Sequence, residues 1–246
     1  MTAWAFEPHP DLARSLIPHA LGGSPNGAHD LSHLHRVWRN VLAIRRDEGG
    51  DTRILLAATV LHDCVAVEKN APERRHASRL AARKASGVLE ALGWPARDVA
   101  AVAHAIEAHS FSAGITPETV EARVLQDADR LDALGALGIA RCFYIAGRME
   151  SALYDPEDPD ARSRPLNDTR FTLDHFRTKL LGLASGFRTR SGAQLAMVRH
   201  DRVSRFLADF RDELGLRVSE EAGLTAWMAL SRQPSDPEPE SRDSQE

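Results

Sequence analysis

The chain has 246 residues, enough for one large domain or two small ones, and 43% of them are hydrophobic, enough for a substantial core. A formal charge of -4 and a pI near 6.3 exclude a surface that binds nucleic acid globally, because such binding runs on clustered Lys and Arg. A local pocket rich in arginine would still accept a small anion.

Only two cysteines occur, Cys64 and Cys142, so neither a disulfide framework nor a Cys-rich zinc module is expected. The opening MTAWAFEPHPDL lacks the basic-then-apolar order of a signal peptide, and no apolar run approaches the ~18 residues of a membrane span. The expectation is a cytoplasmic protein with no membrane and no nucleic-acid partner.

Residues 1–25 form an N-terminal segment, and from there the pattern is helix after helix. In 30–47, Asp30 can cap a run in which Leu31, Leu34, Val37, Trp38, Val41, Leu42 and Ile44 recur at three- and four-residue spacing, and Gly49-Gly50 stops it. Further helical patterns cover 52–66, 73–92, 96–109, 117–128, 131–150, 172–187, 191–214 and 219–231, with Pro95 and Pro117 at first-turn positions. No comparable segment alternates with period two, which argues against a sheet. Residues 154–170, YDPEDPDARSRPLNDTR, read as a long loop. The last fourteen residues contain no apolar side chain and read as a disordered tail. The expected organisation is a core over 26–150, a loop with C-terminal helices packed on it over 151–232, and the tail at 233–246.

The chemistry starts at "TVLHDCVAVEK", where His62 and Asp63 close an apolar helix. Burying an imidazole and a carboxylate side by side without partners costs several kcal/mol, so the rest of the chain should supply a partner, and a metal ion is the first to test. Histidine with carboxylate suits Mn, Fe, Co, Ni, Zn or Mg. Upstream, "HDLSHLHRV" offers His29 and His33, which share a helix face, while His35 points elsewhere. Downstream, "VLQDADRLDALGALGIAR" offers Asp127, Asp129 and Asp132, the last placed to support a ligand from behind or to meet a helix N-terminus.

With His33, then His62-Asp63, then Asp129 in this order, the chain resembles the HD-domain superfamily of metal-dependent phosphohydrolases over about residues 26–150. The stretches "AHDLSHLHRVWRN", "LHDCVAVEK", "HAIEAHSFSAG" and "LQDADRLDALGALGIAR" are similar to the small bacterial subgroup related to nucleotide pyrophosphohydrolases. The resemblance implies an all-α HD-domain helical bundle with a C-terminal helical extension. It makes His33, His62, Asp63 and Asp129 the ligands of one divalent ion, with Asp127 left open as the alternative to Asp129. Four protein ligands leave about two positions for water and a phosphate oxygen, the open arrangement that a hydrolase needs.

Around these ligands, Lys69, Arg36, Arg79, Arg130 and Arg141 are the candidate phosphate contacts, with Lys69 and Arg141 preferred. For the basic cluster over 73–84, which includes Arg74 and Arg75, the alternative is a solvated helix face. The resemblance favours His109 over His104 as an acid or a phosphate contact, the alternative being a hydrogen-bonded histidine at a helix C-terminus. The general base is left open between a metal hydroxide, His109 and Glu107, which otherwise reads as surface, and Asp63 is counted as catalytic through the metal. His76, His175 and His200 read as structural or solvent-facing, and Trp38 as core.

The expected function is hydrolysis of a small phosphorylated substrate, above all a nucleoside triphosphate cleaved to monophosphate and pyrophosphate. The alternatives are a 5'-nucleotidase, a non-catalytic metal- or nucleotide-binding regulatory module, and a di-iron oxygenase on the same scaffold. A homodimer is left open.

Overall fold

The computed structural model describes residues 6–20, 31–65 and 76–216. Among the described residues there are nine α-helices and no named strand. They are α1 (Pro10–Ala20), α2 (Leu31–Glu48), α3 (Thr52–Leu61), α4 (Ala77–Ala91), α5 (Ala96–His109), α6 (Val120–Asp132), α7 (Gly135–Arg148), α8 (Thr172–Thr178) and α9 (Arg190–Glu213). The all-α expectation holds. The chain divides into two compact units, residues 1–204 and 205–246. The candidate site and its supports lie in the first.

Helix α3 lies at the centre of this unit. Its sequence, TRILLAATVL, has no polar face, and Leu55 through Leu61 are all buried. Helices α1, α2, α4, α5 and α6 all pack against it. Each fully buried Leu or Val contributes roughly 1.5–3 kcal/mol relative to exposure. Asp51 starts the helix by accepting from the backbone N–H of Arg53 at 2.7 Å and of Ile54 at 3.3 Å. Trp38 on α2 is core, as its spacing indicates, and its indole N–H donates to the carbonyl of Glu7 at 3.0 Å.

Several boundaries differ from the sequence pattern. Helix α1 falls in the N-terminal segment, where no helix is expected from the sequence; a buried stripe of Ala13, Leu16 and Ala20 holds it against α3. Helix α3 stops at Leu61, so His62 and Asp63 occupy the turn beyond it. Pro117 lies outside α6, which is capped instead by Thr119 accepting from the N–H of Ala122 at 3.2 Å. The break placed at 128–131 occurs at 133–134, where Gly135 takes a φ of +72°. Asp129 therefore belongs to the last turn of α6 and does not start the following helix. The run 172–187 is α8 followed by a short 3-10 helix, Leu180–Ala184. Asp30, residues 73–75, the 219–231 pattern and the tail lie outside the described residues.

The 154–170 stretch is a loop, as expected, and it is built around one side chain. Arg164 donates to both carboxylate oxygens of buried Asp174, at 2.6 and 3.1 Å, pairs with Asp155 at 2.9 Å, and stacks on Phe171 at 4.5 Å. An isolated bridge between Ala152 and Phe171 closes its base.

Gly138 near the start of α7 has no room for a side chain, since a Cβ there would stand 2.2 Å from the carbonyl oxygen of Ala133. That neighbour is backbone and cannot rotate away. Gly138→Ala is therefore expected to lower stability by about 1–3 kcal/mol, to be read by urea unfolding. An unchanged midpoint would show that the α6–α7 corner yields.

Candidate metal centre

The site forms where three buried histidines and two half-buried aspartates converge from α2, the turn after α3, α5 and α6. Nε2 of His33 stands 3.3 Å from Nε2 of His62 and 3.5 Å from Oδ1 of Asp129. His62 Nε2 is 3.8 Å from Asp129 and 3.5 Å from Oδ2 of Asp63. His109 Nε2 lies 3.9 Å from the other oxygen of Asp63. Two overlapping groups result, His33 with His62 and Asp129, and His62 with Asp63 and His109. In each, the donor atoms all lie within 4.8 Å of one another, close enough for one divalent ion with bonds of about 2.0–2.5 Å to reach several of them.

The other nitrogen of each ring is already committed. His62 Nδ1 donates to the carbonyl of Thr59 at 2.8 Å, His109 Nδ1 to that of Ile106 at 2.6 Å, and His33 Nδ1 to the carboxylate of Asp132 at 2.8 Å. These partners fix Nδ1 as the protonated nitrogen and turn an Nε2 lone pair inward. Two such lone pairs meeting at 3.3 Å repel unless a cation lies between them. A proton or a metal ion would meet that need. Burial opposes protonation of His62 and is the largest effect, but Asp63, Asp129, the Thr59 carbonyl and Asp132 together raise its pKa above the ordinary value. His109 moves the other way, lowered first by burial and then by the charge of His62. A divalent ion meets the same need as the proton, so the donor set fits a metal.

Helix geometry separates the two aspartates of "DAD". Residues two apart on a helix point about 200° away from each other, so Asp127 and Asp129 cannot share a site. Asp129 joins the histidines. Asp127 faces α9 instead, accepting from the N–H of Arg188 at 2.9 Å, the N–H of Thr189 at 2.7 Å and the Thr189 hydroxyl at 2.6 Å. Thr189 in turn accepts from the N–H of Gly192. A Cβ on Gly192 would stand 2.5 Å from the Asp127 carboxylate, which is why glycine occupies that position.

The structure redistributes the basic residues expected to contact phosphate. Arg36 and Arg141 are both engaged with Asp132. Arg130 donates to the carbonyls of Leu183 and Ser185 and stacks on Phe111 at 4.2 Å, so it ties down the 3-10 segment. Arg79 is exposed on α4. Lys69, Arg74, Arg75 and His29 lie outside the described residues. Glu107 belongs to neither donor group, because it is about 200° around α5 from His109. His104 accepts from the N–H of Glu118 at 3.0 Å, away from the cluster. His175 pairs with Asp168 near the surface, and His76 is exposed. Both cysteines are buried, and burial pushes each thiol up to about 11, which removes them from nucleophilic chemistry at neutral pH.

The sequence left two supports without a role. Asn40 on α2 donates to the carbonyl of Ala128 at 2.9 Å and accepts from Arg199 of α9 at 2.7 Å, while Arg199 also donates to the carbonyl of Leu131. These bonds grip the turn that carries Asp129. A buried Asn in an otherwise apolar stripe is the only sequence signal they leave.

A helical bundle with this His, His-Asp, Asp arrangement defines a class, and the comparisons agree: residues 30–134 match the HD domain family model, and the chain belongs to the HD-domain superfamily. It is 30% identical over 193 residues to the uncharacterized protein YpgQ of Bacillus subtilis (strain 168), covering 77% of this chain and 86% of YpgQ. Among solved structures it is similar to an HD-superfamily hydrolase from Bacillus thuringiensis, with 32% identity, a TM-score of 0.64, and coverage of 84% of this chain and 98% of that one. YpgQ in complex with ADP is also similar, with 28% identity, a TM-score of 0.61, and coverage of 82% and 96%. Among the described residues, no helix is long and apolar enough to cross a membrane.

Proposed function

We propose that the protein is a phosphohydrolase that uses one divalent ion to cleave a small phosphorylated substrate, with release of pyrophosphate from a nucleoside triphosphate as the favoured reaction. The observation that carries this reading is the convergence of the inward-turned Nε2 atoms of His33 and His62 with the carboxylates of Asp63 and Asp129. The YpgQ structure with ADP supports a nucleotide as the ligand.

His33, His62, Asp63 and Asp129 would hold the ion, which supplies Lewis-acid polarisation of a phosphoryl oxygen and activation of water. Asp63 and Asp129 are about one-third exposed, so this side of the donor set is open to solvent and would admit a substrate. His109, buried and held neutral, sits against Asp63 as the candidate proton acceptor. Arg79 and Lys69 are the remaining candidates for phosphate charge; Arg36, Arg130 and Arg141 serve the scaffold first.

His62 has one nitrogen facing both donor groups, so the second group does not make an independent second site. This favours one ion per chain over the di-iron oxygenase reading. The test is release of phosphate and pyrophosphate from nucleoside mono-, di- and triphosphates, using metal-stripped protein with Mn, Co, Ni or Mg restored. Pyrophosphate from triphosphates is the expected product. Phosphate from monophosphates would replace the reading with a nucleotidase. No release with any metal would favour a binding module, and two irons per chain would favour the oxygenase.

A further inference from the structure

The three inward-turned histidines obtain their Nδ1 acceptors in two different ways, and the difference singles out Asp132. His62 follows the last residue of α3 and His109 ends α5, so each uses the carbonyl three residues back, one that the helix no longer needs. His33 stands in the first turn of α2 and not at a helix C-terminus. Its acceptor is a side chain, that of Asp132, which reaches it from α6 at 2.8 Å.

Asp132 is itself fully buried and heavily held. Arg36 donates from Nε to Oδ1 at 2.6 Å and from Nη2 to Oδ2 at 3.0 Å, and Arg141 donates from Nη1 to Oδ2 at 2.5 Å. Two guanidiniums keep this carboxylate an acceptor, so the proton on the shared bond stays on His33. Arg141 comes from α7, beyond the 30–134 segment that matches the family model.

We infer that Asp132, gripped by Arg36 and Arg141, is the positioning residue of His33 and sets the affinity of the centre for its ion. The inference rests on the metal reading of the site. Partners of this kind typically change metal affinity 10–100-fold.

The test is calorimetric titration of metal-stripped full-length protein with Mn(II) alone, comparing wild type, Asp132→Asn, His33→Ala and the double variant. Asp132→Asn is expected to bind roughly 10–100-fold more weakly, and the double variant no more weakly than His33→Ala, because the effect travels through that ring. Affinity of Asp132→Asn within threefold of wild type would overturn the inference while leaving the metal reading intact. So would a loss that persists in full when His33 is already absent, since that marks a general defect of the fold. If Asp132→Asn does not fold by circular dichroism, Arg141→Met takes its place, with a loss of about 3–10-fold expected and none in the His33→Ala background. Unchanged affinity in Arg141→Met would also overturn the inference. Wild type that binds no Mn(II), Co(II), Ni(II), Fe(II), Zn(II) or Mg(II) would overturn both readings together.

Discussion

Asp63→Ala is expected to abolish metal retention and lower kcat/KM for hydrolysis by at least about 1,000-fold, near the limit of detection. Asp63 stands between the two donor groups: Oδ2 faces His62 at 3.5 Å and His33 at 4.0 Å, while Oδ1 faces His109 at 3.9 Å. Removing it takes away a negative ligand and the contact through which His109 would act. It also leaves the two facing imidazoles with less anionic charge to hold a cation between them. Because Asp63 is partly exposed, the truncation opens no core cavity, and the fold should survive. Metal per chain measured by plasma mass spectrometry, beside thermal unfolding, separates the two effects. Wild-type metal content and turnover in this variant would mean that the site is elsewhere.

The second large effect is a reciprocal pair on one turn of α6. Asp129→Ala is expected to lose the metal with little change in the stability of the metal-free protein, whereas Asp127→Ala should do the reverse. Asp127 satisfies two backbone N–H groups and a hydroxyl at the start of α9, all in a nearly dry environment. Leaving those donors without an acceptor costs about 3 kcal/mol, or about 6–12 °C in Tm for a chain of this size. Burial pushes the Asp127 carboxyl up, although Thr189 and Arg188 oppose the shift, so Asp127→Asn, which keeps an acceptor, should cost less. Calorimetric unfolding beside metal analysis reads both properties. Loss of metal from Asp127→Ala at unchanged Tm would reverse the assignment of the two residues.

The same pair ties the candidate site to the helices on its C-terminal side. The family match ends at residue 134, yet Asp127 is held by Thr189, Leu131 by Arg199, and Asp132 by Arg141, while Arg199 also donates to Asn40, the residue that holds the carbonyl of Ala128. Helices α7 and α9 therefore position the turn that carries Asp129, although they contribute no donor to either group.

Much of this was legible in the sequence. The 3.6-residue periodicity determined an all-helical fold, because an amphipathic helix must turn one face inward wherever it packs. The identity and order of His33, His62-Asp63 and Asp129 pointed to the metal chemistry proposed for the site, because few other side chains offer such donors together. Three things were decided only by the tertiary structure. Where α3 and α6 end depends on turns at His62 and Gly135 that periodicity does not register. Which aspartate of "DAD" faces the histidines depends on the rotation of α6 against α2 and α9, a long-range packing choice. The fate of the arginines was decided there as well: a guanidinium beside a candidate ligand reads the same in sequence whether it awaits a phosphate or grips a buried carboxylate. Only the fold brings Asp132 within 3.0 Å of both Arg36 and Arg141, and a carboxylate buried there without cationic partners would be strongly destabilising.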